Sequence, residues 1–541
     1  MSLLGSKQGY GIVCLIFITM PIRISKDGNR YILFDTPSEY AFRLQSITVL
    51  VDREELVNID LSCEQNNLLT SRLCQFSLLI GVNGVGKSSI LRGIIDFFID
   101  FKEYYDGSKG LKARNYKKSQ NKHLQVVGVK YFANGKIYNI WKNDNEQKYF
   151  INDSDVIIHD IPFPHIVASC FGVFDKFPIK NTFSSSSKPN RYNTSLYSYV
   201  GARASSNIFS TASAIFQMLY YVMNLERSET ILKVKELLDY MGYEDRMTFS
   251  CRMKKLDKVN SFDSFISVMK SQTFFRSTTR KQWYVDNLLK KTLQEQLNLF
   301  DCYMKFLKLA SKPKNEYKYD FEFNQLNVQS SKDDIRYLYL LRQIGIITNA
   351  DCYLYKKGQR ISCNDISSGE LNMFCTVVGA LSASELDNAL ILIDEPEISQ
   401  HPNWQMSIID FLNKGLAESP CHFLIASHSH FLVSDLPRYR SSVTCLKYET
   451  SKLLAEKILE ETYGWSAEEV LLKVFKVPTT RNIYLAKIVG DLLDGIAKGN
   501  IGYAEVYNQI NFLQDVIRNM TDIDPMKKII DTIIKTYRHE N

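Results

Sequence analysis

FSLLIGVNGVGKSSILRG, residues 76–93, is the stretch on which the reading of this chain turns. An apolar run enters a loop of three glycines, and a lysine and two serines then stand at the mouth of a helix. The pattern G-x-x-x-x-G-K-[ST] fits Gly81, Gly86, Lys87 and Ser88. Glycines let successive backbone N–H groups curl round an anion, and the helix N-terminus behind them adds partial positive charge. In such a loop Lys87 reaches the β- and γ-phosphates and the Ser88 hydroxyl ligates Mg²⁺. The flanks agree: CQFSLLI reads as a buried strand and SSILRGIIDFFID as an amphipathic helix. A phosphate loop implies a nucleotide and nothing finer.

Three further stretches complete a nucleotide site. NALILIDEPEISQHPNWQ (388–405) opens as a buried strand and ends on Asp394 and Glu395. The aspartate suits an Mg²⁺ contact, and the glutamate suits a base that polarises the attacking water. NDISSGELNMF (364–374) sets Ser367, Ser368 and Gly369 before a helix starting near Glu370, which aims N–H groups and a hydroxyl at an anion. HFLIASHSHFLVSDL (422–436) places His428 at the end of another buried strand. His428 and His430 are spaced H-x-H, but no acidic or thiol partner sits at ligand spacing, so zinc is not the reading.

Composition sets the bounds. The chain has 541 residues, 45% hydrophobic and 23% charged, which fits a globular protein of several domains. Its net charge of +7 permits a nucleic-acid face without demanding one. Eleven cysteines lie singly, with no C-x-x-C spacing, which points to reduced thiols. GIVCLIFITM (11–20) is far shorter than the roughly 20 residues of a membrane span and reads as an edge of the first sheet. A cytoplasmic protein with no membrane partner is expected.

The expected organisation is an N-terminal lobe over 1–210, a helical insertion over 211–316, a C-terminal lobe over 317–461 and a helical partner-binding region over 462–541. Asn134-Gly135 between two alternating runs predicts a hairpin. KEYYDGSKGLKARNYKKSQNK (102–122) reads as a solvated loop or a loop touching a nucleic-acid backbone. NTFSSSSKPNRYNTS (181–195) reads as a serine-rich loop. In the last region, Val470, Leu471, Val474, Phe475, Ile483, Leu485, Ile488 and Val489 exceed what a short terminal helix pair needs for its own packing, or else dock back on the lobe.

Phosphate loop, S-S-G-E, D-E-P-E and S-H-S, in this order, resemble the ABC-type ATPases of the SMC, RecF and overcoming-lysogenization group. IDEPEISQHPNWQ and IASHSHFLVSDLP are similar to that group's E-P-E-x-x-x-H-P-x-W-Q and S-H-S-x-F-x-V-S-D-x-P blocks. HIVASCFGVFDKFP, YSYVGAR and GWSAEEVLLKVFKVPTTRN further resemble the PtuA ATPases of Septu and retron anti-phage systems. The resemblance implies an α/β P-loop NTPase of ABC type, a mixed sheet flanked by helices, and Mg²⁺-dependent ATP hydrolysis. It implies that Gly81, Asn83, Gly84, Val85, Gly86, Lys87, Ser88 and Ser89 cradle the phosphates and Mg²⁺. Asp394 then helps to hold Mg²⁺, Glu395 is the catalytic base and His428 the switch histidine. Ser367, Ser368 and Gly369 would contact the γ-phosphate bound to a second subunit, in a homodimer or higher even oligomer. Two departures, no placeable Q-loop glutamine and a signature that begins Ile-Ser-Ser, favour a slow, gated ATPase.

The implied role is an ATP-gated sensor and scaffold that controls a partner HNH nuclease of the PtuB kind. In retrons the partners include a reverse transcriptase and its RNA–DNA product. A DNA-repair or chromosome-maintenance ATPase of RecF or SMC type is the alternative, and long heptad arms would favour it. A transporter ATPase is a third reading, against which the E-P-E-x-x-x-H-P block and the large insertion both stand.

Overall fold

The structure is a computed structural model. It describes residues 23–27, 30–34, 41–63, 73–108, 123–143, 148–152, 161–172, 175–179, 191–192, 194–201, 203–205, 208–209, 214, 221–222, 225, 228–271, 285–286, 288–310, 316–322, 337–338, 340–342, 344–384, 388–416, 419–449, 452–477, 483–499, 501–520 and 524–539. GIVCLIFITM, most of the serine-rich loop and residues 109–122 of the basic stretch lie outside these.

β1 (Arg23–Asp27) and β2 (Arg30–Phe34) pair antiparallel. β3 (Arg43–Val51), β4 (Glu55–Asp60), β6 (Leu124–Ala133), β7 (Lys136–Asn143) and β8 (Lys148–Ile151) form an antiparallel sheet in the order β4-β3-β6-β7-β8. The expected hairpin joins β6 to β7, with Asn134 and Gly135 both at positive φ.

The central sheet uses β5 (Gln75–Gly81), β9 (His165–Cys170), β10 (Tyr197–Gly201), β17 (Ala389–Asp394), β18 (His422–Ser427), β19 (Ser441–Glu449) and β20 (Lys452–Ile458). Its order is β10-β9-β17-β18-β5-β19-β20, parallel throughout except for β20 at one edge. β5, β17 and β18 are buried along their whole length, as strands covered on both faces must be. Strand alternation divides the apolar side chains between two cores. Leu79, Leu392 and Leu424 meet the five-stranded sheet and the phosphate-loop helix (Lys87–Ser108). Phe76, Ile391, Ile393 and Phe423 face the other way, toward the helices Ser368–Ser384 and Pro402–Leu416. Phe76 and Phe423 stack there, with ring centroids 4.7 Å apart.

The segment read as a helical insertion contains the helices Ser228–Tyr240, Phe262–Lys270 and Leu293–Leu309, but also a strand. β13 (Arg246–Met253) pairs with β14 (Glu316–Glu322) and β15 (Ile347–Lys356), and β16 (Gln359–Ser362) extends that sheet. The insertion is therefore α/β, bound to the C-terminal lobe through a shared sheet. The short strands β11 (Arg203–Ser205) and β12 (Ile208–Phe209) pair beside β10 in sequence.

The last region is helical, as expected, over Ala467–Lys473, Ile483–Lys498, Tyr503–Arg518 and Pro525–His539. Its apolar surplus is largely consumed by packing. Val470 and Val474 join the core of the ATPase lobe, while Leu472, Leu485, Val489 and Leu492 build a separate core with Leu513, Val516 and Ile530. Ile483, Leu493 and Ile496 of one helix stay exposed, at 74%, 45% and 46%. No helix among the described residues is long and apolar enough to cross a membrane.

Candidate nucleotide site

Parallel neighbours in the central sheet bring the motifs together. β5 lies beside β18, and β18 beside β17, so the phosphate loop, His428 and the Asp394–Glu395 pair all leave the same edge of the sheet. Ligands bind at this carboxyl edge in open α/β sheets.

Gly86 sits at φ 102°, a left-handed backbone that favours glycine, and an added Cβ would also push aside the Leu124 side chain. Lys87 follows, nearly buried; its Nζ donates to the carbonyl oxygens of Gly81 at 2.8 Å and Val82 at 3.3 Å. Burial lowers the Lys87 pKa, while Glu395, Glu397 and Asp394 nearby pull it back up. Val85 is buried, whereas Asn83 and Gly84 are exposed at the loop surface.

Ser88 Oγ donates to Asp394 Oδ1 at 3.0 Å. Burial pushes the Asp394 carboxyl up to about 7; the Ser88 hydrogen bond opposes this and the Glu395 charge adds to it. A hydroxyl and a carboxylate at this distance are oxygen donors of the kind Mg²⁺ takes together with phosphate oxygens. The residues therefore fit the ion, which Ser88 and Asp394 would hold.

Glu395 adopts a left-handed backbone, φ 49°, rare for a residue with a side chain. Its N–H donates to Ala426 O at 2.8 Å, which ties the bend to the end of β18. The carboxylate is 30% exposed, and its Oε1 lies 3.9 Å from His428 Nδ1. An accessible carboxylate next to Asp394, just past the end of β17, has the exposure that a water-polarising base needs. His430 instead starts a short helix and packs on the Phe431 ring, with centroids 4.1 Å apart.

The signature residues sit on the helix Ser368–Ser384. Ser367 Oγ accepts from Glu370 N at 3.2 Å while Glu370 Oε2 accepts from Ser367 N at 2.9 Å, a reciprocal capping box. Both Ser367 and Ser368 are exposed. An added Cβ on Gly369 would lie 2.3 Å from Ser399 O, so glycine lets the helix approach the turn after Asp394. Asn372 extends this contact, its Nδ2 donating to Pro396 O at 3.2 Å and Ile398 O at 3.1 Å.

Three residues that the sequence reading did not single out also belong to the site. Lys176 Nζ donates to Ser89 Oγ at 3.0 Å. Asp175 is buried; its Oδ2 accepts from Tyr199 OH at 2.6 Å and from Arg203 Nε at 2.8 Å. Burial raises its pKa against those two partners. Glu397, the second acid of the E-P-E run, is buried against His428.

The chain matches the AAA ATPase domain over residues 54–433. It is also similar to the SMC head domain from Thermotoga maritima, at 11% identity and TM-score 0.30, covering 77% of this chain and 100% of that one. The Smc head domain with an extended coiled coil bound to the C-terminal domain of ScpA, from Pyrococcus furiosus, is 9% identical, at 77% and 96% coverage and TM-score 0.30. The SmcHead bound to the C-winged helix domain of ScpA is 10% identical, at 77% and 98% coverage and TM-score 0.30. No curated protein matches the chain. The family match spans more than half of the chain and contains every motif of the site: the chain belongs to the AAA ATPase domain family.

Proposed function

We propose that this ATPase is the sensor and scaffold subunit of an anti-phage defence system of PtuA type, and that its ATP cycle controls a partner HNH nuclease. The observation that carries the reading is the conjunction of an assembled hydrolytic site with the sequence blocks that resemble the PtuA group. Asp394, Glu395 and His428 meet at the phosphate loop, as ATP turnover requires. Bound Mg²⁺ would supply charge neutralisation at the β- and γ-phosphates. Lys87 would then hold the phosphates, Ser88 and Asp394 would hold the ion, and Glu395 would take a proton from the attacking water.

The exposed Ser367 and Ser368 support a site completed by a second copy of the chain. The capping box of Ser367 keeps the helix N-terminus ordered, and Ser368 beside it is exposed. Mixing a Lys87→Ala chain with a Ser368→Arg chain should restore ATP turnover that neither has alone, because a mixed dimer keeps one whole site. Full activity from a strict monomer would exclude this.

The nuclease is proposed to dock on the C-terminal helices, where Ile483, Leu493 and Ile496 remain exposed. In a retron setting, a reverse transcriptase and its RNA–DNA product would join the same cytoplasmic complex. Co-expression with a neighbouring nuclease gene tests the reading. Leu493→Asp with Ile496→Asp should keep ATP turnover, lose nuclease co-purification and abolish phage protection. Retained co-purification would move the interface to the insertion, and the lack of any phage phenotype in the intact system would overturn the defence role.

A further inference from the structure

Glu397 is an acid with little access to water: its side chain is 4% exposed, although it stands two residues beyond the accessible Glu395. Its Oε1 accepts from Ser427 Oγ at 2.6 Å and from His428 N at 2.8 Å, and lies 3.3 Å from His428 Nδ1. One carboxylate oxygen therefore touches the hydroxyl before the histidine, the backbone of the histidine and its ring. Burying a carboxylate is costly unless its hydrogen bonds and charge have work in the folded state.

The surrounding contacts make this a brace rather than an isolated pair. Ser427 Oγ in turn accepts from Ser429 N at 2.8 Å, and Ser429 Oγ donates to Gln405 Oε1 at 2.9 Å. Gln405 Nε2 donates to Gln400 O at 3.1 Å, which returns to the turn that holds Glu397. A closed loop of hydrogen bonds thus joins the turn after the catalytic strand to the end of β18.

A carboxylate beside one imidazole nitrogen fixes both the ring orientation and the tautomer. With Nδ1 3.3 Å from Glu397 Oε1, Nε2 is the nitrogen left to meet a phosphate oxygen, and the 44% exposure of the His428 side chain leaves it reachable. We propose that Glu397 is the positioning residue for His428 in ATP hydrolysis: it holds the ring by Nδ1, and it locks the histidine to the turn that carries the base Glu395. This inference rests on the ATPase reading of the site and goes beyond it in assigning the buried acid.

The test is a double-mutant cycle between Glu397→Gln and His428→Ala, read by single-turnover hydrolysis so that slow variants are measurable, together with steady-state kcat and KM. Glutamine can keep an acceptor oxygen at Ser427, at His428 N and beside Nδ1, so the fold is kept while the negative charge facing Nδ1 is lost. The expected result is a fall in kcat of roughly tenfold or more with KM within about twofold, and less than about twofold further loss in the His428→Ala background. Equal losses in both backgrounds, or a near wild-type kcat, would overturn the proposal. If Glu397→Gln does not fold, Ser427→Ala removes one arm of the brace; a lower kcat that vanishes in the His428→Ala background supports the proposal, and the same loss in both overturns it. A wild-type chain with no ATP turnover at all would instead refute the ATPase reading, and that control separates the two failures.

Discussion

Ser88 and Asp394, separated by 306 positions in the chain, are joined by a 3.0 Å hydrogen bond from hydroxyl to carboxylate. It presents two oxygen ligands side by side, and it holds the phosphate-loop helix against the strand that ends in the base. Folding of the parallel sheet thus brings the phosphate-loop hydroxyl to the Asp394 carboxylate.

Gly369→Ala should weaken the coupling between the signature helix and the turn after Asp394. The new methyl group meets Ser399 O at 2.3 Å, backbone that cannot rotate away. A destabilisation of about 1–3 kcal/mol is expected, with lower ATP turnover. Urea unfolding with a parallel ATPase assay checks this, and an unchanged midpoint would remove the packing role assigned to this glycine.

Arg203→Ala should destabilise the lobe by roughly 3–5 kcal/mol, because it strands a buried carboxylate. Asp175 is 1% exposed at its side chain and is paired with Arg203 at 2.8 Å. Adding Asp175→Asn should recover part of the loss. A double variant no more stable than Arg203→Ala alone would show that the pair is not the source.

His422 provides a pH signature. It is fully buried; its Nδ1 accepts from Leu44 N at 2.8 Å, and its Nε2 lies 2.9 Å from Ser77 Oγ. Burial, aided by Arg43, drives its pKa from 6.5 to about 3. The unfolded chain takes up the proton near pH 6.5 and the folded chain does not. Stability from this group is therefore present above that pH and falls by about 1.4 kcal/mol per pH unit as pH drops toward about 3. Between pH 6.5 and 5 this amounts to roughly 2 kcal/mol. His422→Asn, which keeps an acceptor for Leu44, should flatten that part of the stability curve. An identical slope in both proteins would assign the dependence elsewhere.

The motifs and the central strands were legible because each carries a local signature: glycine at fixed spacing, an apolar run ending in acids, an apolar run ending in histidine. β13 was also written in the sequence, since Met247, Phe249, Cys251 and Met253 alternate with polar residues. Helical periods on both sides masked it, and its partners lie in β14 and β15, far along the chain. Asp175, Lys176 and Glu397 acquire their roles only through neighbours that the sheet order creates. No spacing rule links Asp175 to Tyr199 and Arg203, or Glu397 to Ser427. The terminal apolar residues showed the converse: their number was plain, but their division between the lobe core and a separate helical core depended on tertiary packing.

The most direct measurement is nucleotide affinity and ATP turnover, side by side, for the wild-type chain, Glu395→Gln and Lys87→Ala. Wild type should hydrolyse ATP. Glu395→Gln should bind ATP with affinity within about twofold of wild type while turnover falls by about 10²-fold or more, since the geometry is kept and the base is lost. Lys87→Ala should lose affinity itself, because it removes the ammonium that the phosphate loop holds at Gly81 and Val82. Turnover by Glu395→Gln at a near wild-type rate would contradict the assignment of Glu395 as the base.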